Sequence, residues 1–169
     1  SLRIYTPDEW AGVEPNADLT LTSAYNMYQS VRYKANGILQ TERVEAGVPK
    51  THYAPEGEEF NDTETAIYGA RGISSLGSLA ALYCGSINTA SAPNLIELII
   101  GSNAEGYHND NLTTLSVGTN HMLRFLNIMN CRKLTATIDL SGCDAIEEIY
   151  AEGSGITGVK LPAGGYLRI

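Results

Sequence analysis

Apolar positions in the second half of the chain return in a fixed phase. Leu95-Ile-Glu-Leu98-Ile-Ile100 is followed by Leu112-Thr-Thr-Leu115-Ser-Val117 and Leu123-Arg-Phe-Leu126-Asn-Ile128. Leu134-Thr-Ala-Thr-Ile138-Asp-Leu140, Ile146-Glu-Glu-Ile149-Tyr-Ala151 and Ile156-Thr-Gly-Val159-Lys-Leu161 continue the series, and Leu167-Arg-Ile169 opens another unit. Inside each unit apolar and polar residues alternate. That is the period of a strand, with two apolar residues turned inward and the one between them turned outward. The repeat of about eleven residues leaves no room for a helix. Two units then predict one coil of about 22 residues, its strands alternating between two opposed parallel sheets.

The phase predicts two unlike faces. One exposes Ser116, Asp139 and Lys160, flanked by Thr114, Thr137, Ser141 and Gly158, and is small and polar. The other exposes Ile99, Asn127 and Tyr150, flanked by Phe125, Met129, Glu97, Glu148 and Glu152, with Tyr68 and Tyr83 extending it. This second face is apolar with an acidic rim. Ile99, Phe125, Asn127, Met129 and Tyr150 are therefore the candidate partner-binding face; the other reading is that they pack on another part of a longer parent. The step from Leu95 to Leu112 is longer than the others and holds the insertion Ala104–Asp110. Insertions in repeat folds gather on one rim, which makes Tyr107, His108 and Asp110 a candidate recognition loop for a sugar or peptide, or a plain solvated bulge. Asn103, Asn120, Cys131, Cys143 and Ser154 end successive units. There a buried Asn can bond the turn backbone, and Cys fits as a small buried group.

The first sixty residues read differently. Gly and Pro punctuate short β-rich runs: Asp18–Thr22, Met27–Tyr33, Ile38–Val44 and Thr51–Tyr53. Asn36-Gly37 is a hairpin signal, because both residues tolerate positive φ. The expected fold is mainly β: an antiparallel, sandwich-like β module over 1–60, then a short-repeat leucine-rich solenoid of two parallel sheets over 61–169.

Composition narrows the function. The net charge is −8, uneven along the chain: residues 1–70 hold 11 acidic and 5 basic side chains, residues 71–169 hold 8 and 6. With no Lys/Arg cluster, nucleic acid and anionic membranes are poor partners. No run reaches the roughly 20 apolar residues of a membrane span, so no membrane insertion is expected. Glu56-Gly-Glu-Glu59 with Asp62 reads as a solvated linker and lacks the spacing of an EF-hand. Cys84, Cys131 and Cys143 show no CxxC spacing and read as buried structural thiols. There is no GxSxG, Walker A or HExxH, and His52, His108 and His121 have no partner at ligand spacing. No catalytic residue, cofactor or metal site is expected. Both ends look cut, so a longer parent is expected, through which the chain could oligomerise.

The repeat is similar to bacterial leucine-rich repeats of the short, helix-free kind. Asn61–Gly69, Ile138–Cys143, Ile149–Gly153 and Val159–Gly165 further resemble stretches in large structural (tail or appendage) proteins of phages and prophages of gut bacteria. Ala17–Thr22 and Met27–Tyr33 resemble the β module that precedes the repeats there. The resemblance implies a non-enzymatic structural or adhesion segment of a virion that binds a protein or cell-surface glycan. The alternatives are an extracellular leucine-rich-repeat adhesin on a bacterial cell surface and a carbohydrate-active accessory domain.

Overall fold

The alternating pattern forms short strands in a computed structural model that describes residues 2–6, 18–34, 37–55, 63–77, 84–102 and 109–163. In chain order these are β1 (Leu2–Thr6), β2 (Leu19–Ser23), β3 (Met27–Arg32), β4 (Gln40–Val44), β5 (Lys50–His52), β6 (Thr63–Tyr68) and β7 (Ile73–Gly77). Then come β8 (Ser86–Asn88), β9 (Glu97–Ile99), β10 (Thr114–Ser116), β11 (Phe125–Asn127), β12 (Thr137–Asp139), β13 (Glu148–Tyr150) and β14 (Gly158–Lys160). The protein is mainly β; a 3-10 turn at Ala70–Gly72 links β6 to β7.

The strands make mixed sheets. The first has the order β10-β8-β1-β6-β3-β4, the second β13-β11-β9-β7-β2-β5, and β12 pairs with β14 separately. Pairing among β1 to β7 is antiparallel. It turns parallel at β7–β9 and stays so through β11 and β13. β8–β10 and β12–β14 are parallel too. Partners in the second sheet step from Ser75 to Glu97, Phe125 and Glu148, which is 22, 28 and 23 residues. The long step spans the insertion, whose residues 103–108 lie outside the described part.

Register explains how the two halves join. Leu21, Leu76, Leu98, Leu126 and Ile149 are successive Cα partners across β2, β7, β9, β11 and β13. All five are buried. In the first sheet Ile4 pairs with Ile87 and Ile87 with Leu115. Inward side chains of the antiparallel and parallel parts therefore belong to one continuous core. Burying each such aliphatic side chain contributes roughly 1.5–3 kcal/mol.

The Asn36-Gly37 hairpin differs from expectation. β3 and β4 do pair antiparallel, but the ladder stops at Val31–Gln40. Gly37 N–H bonds Lys34 O at 2.8 Å without a positive φ, and Asn36 lies outside the described residues. On its other edge β3 runs one residue further, with Arg32 opposite Ala66 of β6. Next to it, the Tyr33 hydroxyl enters the core, donating to His52 O at 2.6 Å and accepting from Leu19 N–H at 3.2 Å. Burial pushes its phenol pKa upward.

A second buried polar chain lies beside it. Gln29 Nε2 donates to Ser23 Oγ at 2.8 Å, which turns Gln29 Oε1 towards His52 Nε2, also at 2.8 Å. The imidazole proton therefore sits on Nε2, and the buried Nδ1 has no partner. Burial lowers the His52 pKa from 6.5; Glu42 opposes that and Lys50 adds to it. In the unfolded chain His52 titrates near 6.5, in the folded chain below it. The stability it contributes is fully present above that value and is lost as pH falls through the folded pKa. The urea midpoint should drop between about pH 7.5 and 5, and His52→Gln should flatten the drop. A variant with the same pH slope as wild type would disprove the assignment.

Candidate partner-binding face

Alternation on β9, β11 and β13 aims every second side chain away from the core. Glu97, Phe125 and Glu148 are direct partners in one row, and Ile99, Asn127 and Tyr150 in the next. Tyr150 is exposed, and Ile99, Phe125, Asn127 and Met129 are half-buried. The Phe125 and Tyr150 rings lie 5.1 Å apart at 44°, a tilted aromatic pair. The Tyr150 hydroxyl donates to Glu148 Oε2 at 3.3 Å, and Ser75 Oγ donates to Glu97 Oε2 at 3.3 Å. Asn127 Oδ1 accepts Met129 N–H at 3.0 Å, closing the turn after β11. That turn continues into Asn130 at φ 57°, a left-handed position Asn tolerates. Gly101 lets the segments after β9 and β11 approach closely, since a Cβ would run into the Met129 backbone. Ile99, Phe125, Asn127 and Tyr150 thus take alternate positions to the buried residues of neighbouring strands, and Met129 follows half-buried in the turn after β11.

Tyr68 is not part of it. It lies on β6 in the first sheet, opposite Ser30, with the Arg32 guanidinium 5.7 Å from its ring centre. The antiparallel pairing of β6 sends it there. Tyr83, Tyr107, His108, Asn103 and the Glu56–Asp62 run lie outside the described residues. Asp110 is described and holds Arg132 through two bonds of 2.9 and 3.1 Å.

The opposite face matches its polar composition. Thr114, Ser116, Thr137, Asp139 and Lys160 are exposed, and Gly158 is half-buried. A shallow cleft of about 380 Å³ runs along Ser116, Gly118, Thr119, Asp139 and Ser141. The Ser141 hydroxyl and backbone N–H both donate to Asp139 Oδ1, at 2.6 and 3.0 Å, and hold that carboxyl below its ordinary pKa.

Turns between the sheets are built in two ways. Asn120 is buried; its Oδ1 accepts the N–H of Met122 at 2.8 Å and of Leu123 at 3.0 Å, while Nδ2 donates to Leu95 O at 3.0 Å and to Ala92 O at 3.4 Å. Asn109 repeats the acceptor half, taking Asn111 and Leu112 N–H at 3.2 and 3.1 Å. At Cys131 and Cys143 the backbone carbonyl serves instead, accepting Leu134 and Ile146 N–H at 3.2 Å each. A small apolar side chain then suffices. Asn109 was hidden in the insertion, although it stands three residues before Leu112 as Asn120 stands three before Leu123.

Sequence spacing also misses ion pairs between residues far apart in the chain. Arg124 binds Glu147 with both Nη2 contacts at 2.9–3.0 Å, and His121 Nδ1 meets Asp144 Oδ1 at 3.0 Å. The signal is opposite charge at a recurring separation: 23 residues for both of these and 22 for Arg132–Asp110. His121 thus has a carboxylate partner that local spacing could not reveal. Among the described residues no group of three His, Cys, Asp or Glu stands close enough to hold a metal ion, and no helix is long and apolar enough to cross a membrane.

All three cysteines are free and buried. Burial pushes the Cys131 thiol up to about 12 and raises Cys84 and Cys143 as well. The thiolate is the reactive form, so the native protein should leave all three unlabelled by a disulfide reagent at about pH 8, and denaturation should release all of them. Rapid native labelling of any one would show that its turn opens.

Models of known protein families gave no match to the chain, and neither did curated proteins or solved structures.

Proposed function

We propose that this chain is a leucine-rich β solenoid joined to a β module, and that it serves as a non-enzymatic scaffold and adhesion segment. The resemblance of its repeats directs the proposal to a structural protein of a gut-bacterial phage particle, acting on a host-surface protein or glycan. The observation that carries the adhesive part is the outward pair Phe125 and Tyr150, set among Ile99, Met129 and the Glu97 and Glu148 carboxylates. Flat stacks of short strands suit such a role, because each coil fixes its outward residues at the strand spacing of about 4.8 Å and leaves them accessible.

Antibodies raised against the 169-residue chain provide the test, by immunogold labelling of purified virions and of bacterial cells. Labelled tails or appendages support the proposal. Labelled bacterial surfaces with unlabelled virions overturn it in favour of a cell-surface adhesin. Sugar release from host glycans by the purified chain would replace it with a carbohydrate-active role.

A further inference from the structure

The outer face of the second sheet carries unbalanced charge. Four carboxylates lie on or beside it: Glu97, Glu147, Glu148 and Glu152. One guanidinium, Arg124, stands against them, and it is committed to Glu147. Phe125 sits between Glu97 and Glu148, each its direct cross-strand partner. The half-buried Phe125 thus stands in a row between two glutamates whose strands lie about 4.8 Å away on either side. Their hydrogen-bond donors are hydroxyls, Ser75 for Glu97 and Tyr150 for Glu148, while Arg124, bonded to Glu147, also feels the Glu148 charge. Hydroxyls orient a carboxylate but leave its charge in place.

We propose that this face docks a basic, extended segment of another protein, with a Lys or Arg side chain seated on Phe125 between Glu97 and Glu148. The inference rests on the face being a contact surface and adds the chemistry of its partner. A cation over the ring gains from its quadrupole. The same cation also has a carboxylate in the row on either side of it to pair with. Tyr150 and Ile99 offer flanking apolar contact for neighbouring side chains. An extended segment laid along the strands fits, because its same-face side chains repeat at about 6.6–6.8 Å, the spacing of the outward residues Phe125 and Asn127 along β11.

The probe is a fluorescein-labelled decapeptide of alternating Arg and Thr, titrated with the 169-residue chain and read by anisotropy. Alternating Glu and Thr, and Ser and Thr, are the control peptides. Only the arginine peptide should bind, and more weakly as salt rises. Glu97→Gln with Glu148→Gln should weaken it about tenfold, and Phe125→Ala by a similar factor. Asp139→Asn on the opposite face removes one charge, as Glu97→Gln alone does, and should change binding less than twofold where Glu97→Gln weakens it more. Circular dichroism confirms that each variant is folded, and Glu97→Gln alone serves if the pair is not. Equal loss from Asp139→Asn would overturn the proposal, because the attraction would then be net charge alone. Phe125-dependent glycan-array binding without peptide binding would also overturn it, yet keep the contact face. Binding of neither probe would count against both.

Discussion

Leu126→Ala should lower the unfolding free energy by about 2–5 kcal/mol, the range for large-to-small changes at fully buried sites. Leu126 is fully buried at the middle of β11, with Leu98 on one side and Ile149 on the other. Its row runs on through Leu76 to Leu21, so the lost side chain leaves a gap in a core shared by the repeat and the first sixty residues. β-strands on both sides are hydrogen-bonded, which limits collapse around the gap and favours the upper part of the range. Thermal unfolding should fall by roughly 4–20 °C for a chain of this size. The matched control is Leu161→Ala: Leu161 is 41% exposed just beyond β14, and its loss should cost under about 1 kcal/mol. If Leu126→Ala cost no more than Leu161→Ala, the stacked-row account of the core would fail. Circular dichroism and tyrosine fluorescence should also unfold together, because β2 and β11 share the row.

Much of this was readable in the sequence, and the reason is the period. Leu115, Ile138, Leu126 and Ile149 alternate with polar neighbours, and a one-residue slip would turn every one of them to solvent. The pattern therefore determined strand, register and outward face together, including the side on which Phe125 and Tyr150 stand. Strand direction was less legible. Ala66-Ile-Tyr68 resembles Glu148-Ile-Tyr150 in composition, yet β6 pairs antiparallel with β1 and β3 while β13 pairs parallel with β11. Alternation says which face a residue takes and is silent about which neighbour the strand finds. The widened loop after β3 has the same origin. Asn36-Gly37 favours a tight turn, but Tyr33 gains two buried hydrogen bonds by leaving the ladder, and tertiary bonding outweighs local turn chemistry. Ion pairs such as Arg124–Glu147 were invisible for a plainer reason: they join residues 22 or 23 positions apart, a separation no local motif marks.

Asn120→Ala is the second large effect expected, and it separates hydrogen bonding from packing at the turns. The substitution removes little apolar contact but strands three backbone groups. Leu123 N–H and Leu95 C=O are in buried bonds to Asn120, and Met122 N–H is partly exposed, while Ala92 C=O keeps the Leu95 N–H at 3.2 Å. Each buried group left unpaired costs about 1–3 kcal/mol, so a total loss of about 2–5 kcal/mol is expected, with water reaching the Met122 side first. Cys131→Ala should cost only about 1 kcal/mol, since the turn there is closed by backbone and the sulfur supplies volume. Asn120→Cys tells whether one turn can adopt the other's solution. Stability between Ala and wild type would mean that the backbone can partly rebuild the bond Leu134 makes to Cys131. Equality with Ala would mean that the Asn side chain alone sets the turn geometry. Chemical denaturation of the three variants decides it. A loss below about 0.5 kcal/mol for Asn120→Ala would contradict the bonding scheme, because buried donors without partners do not come that cheaply.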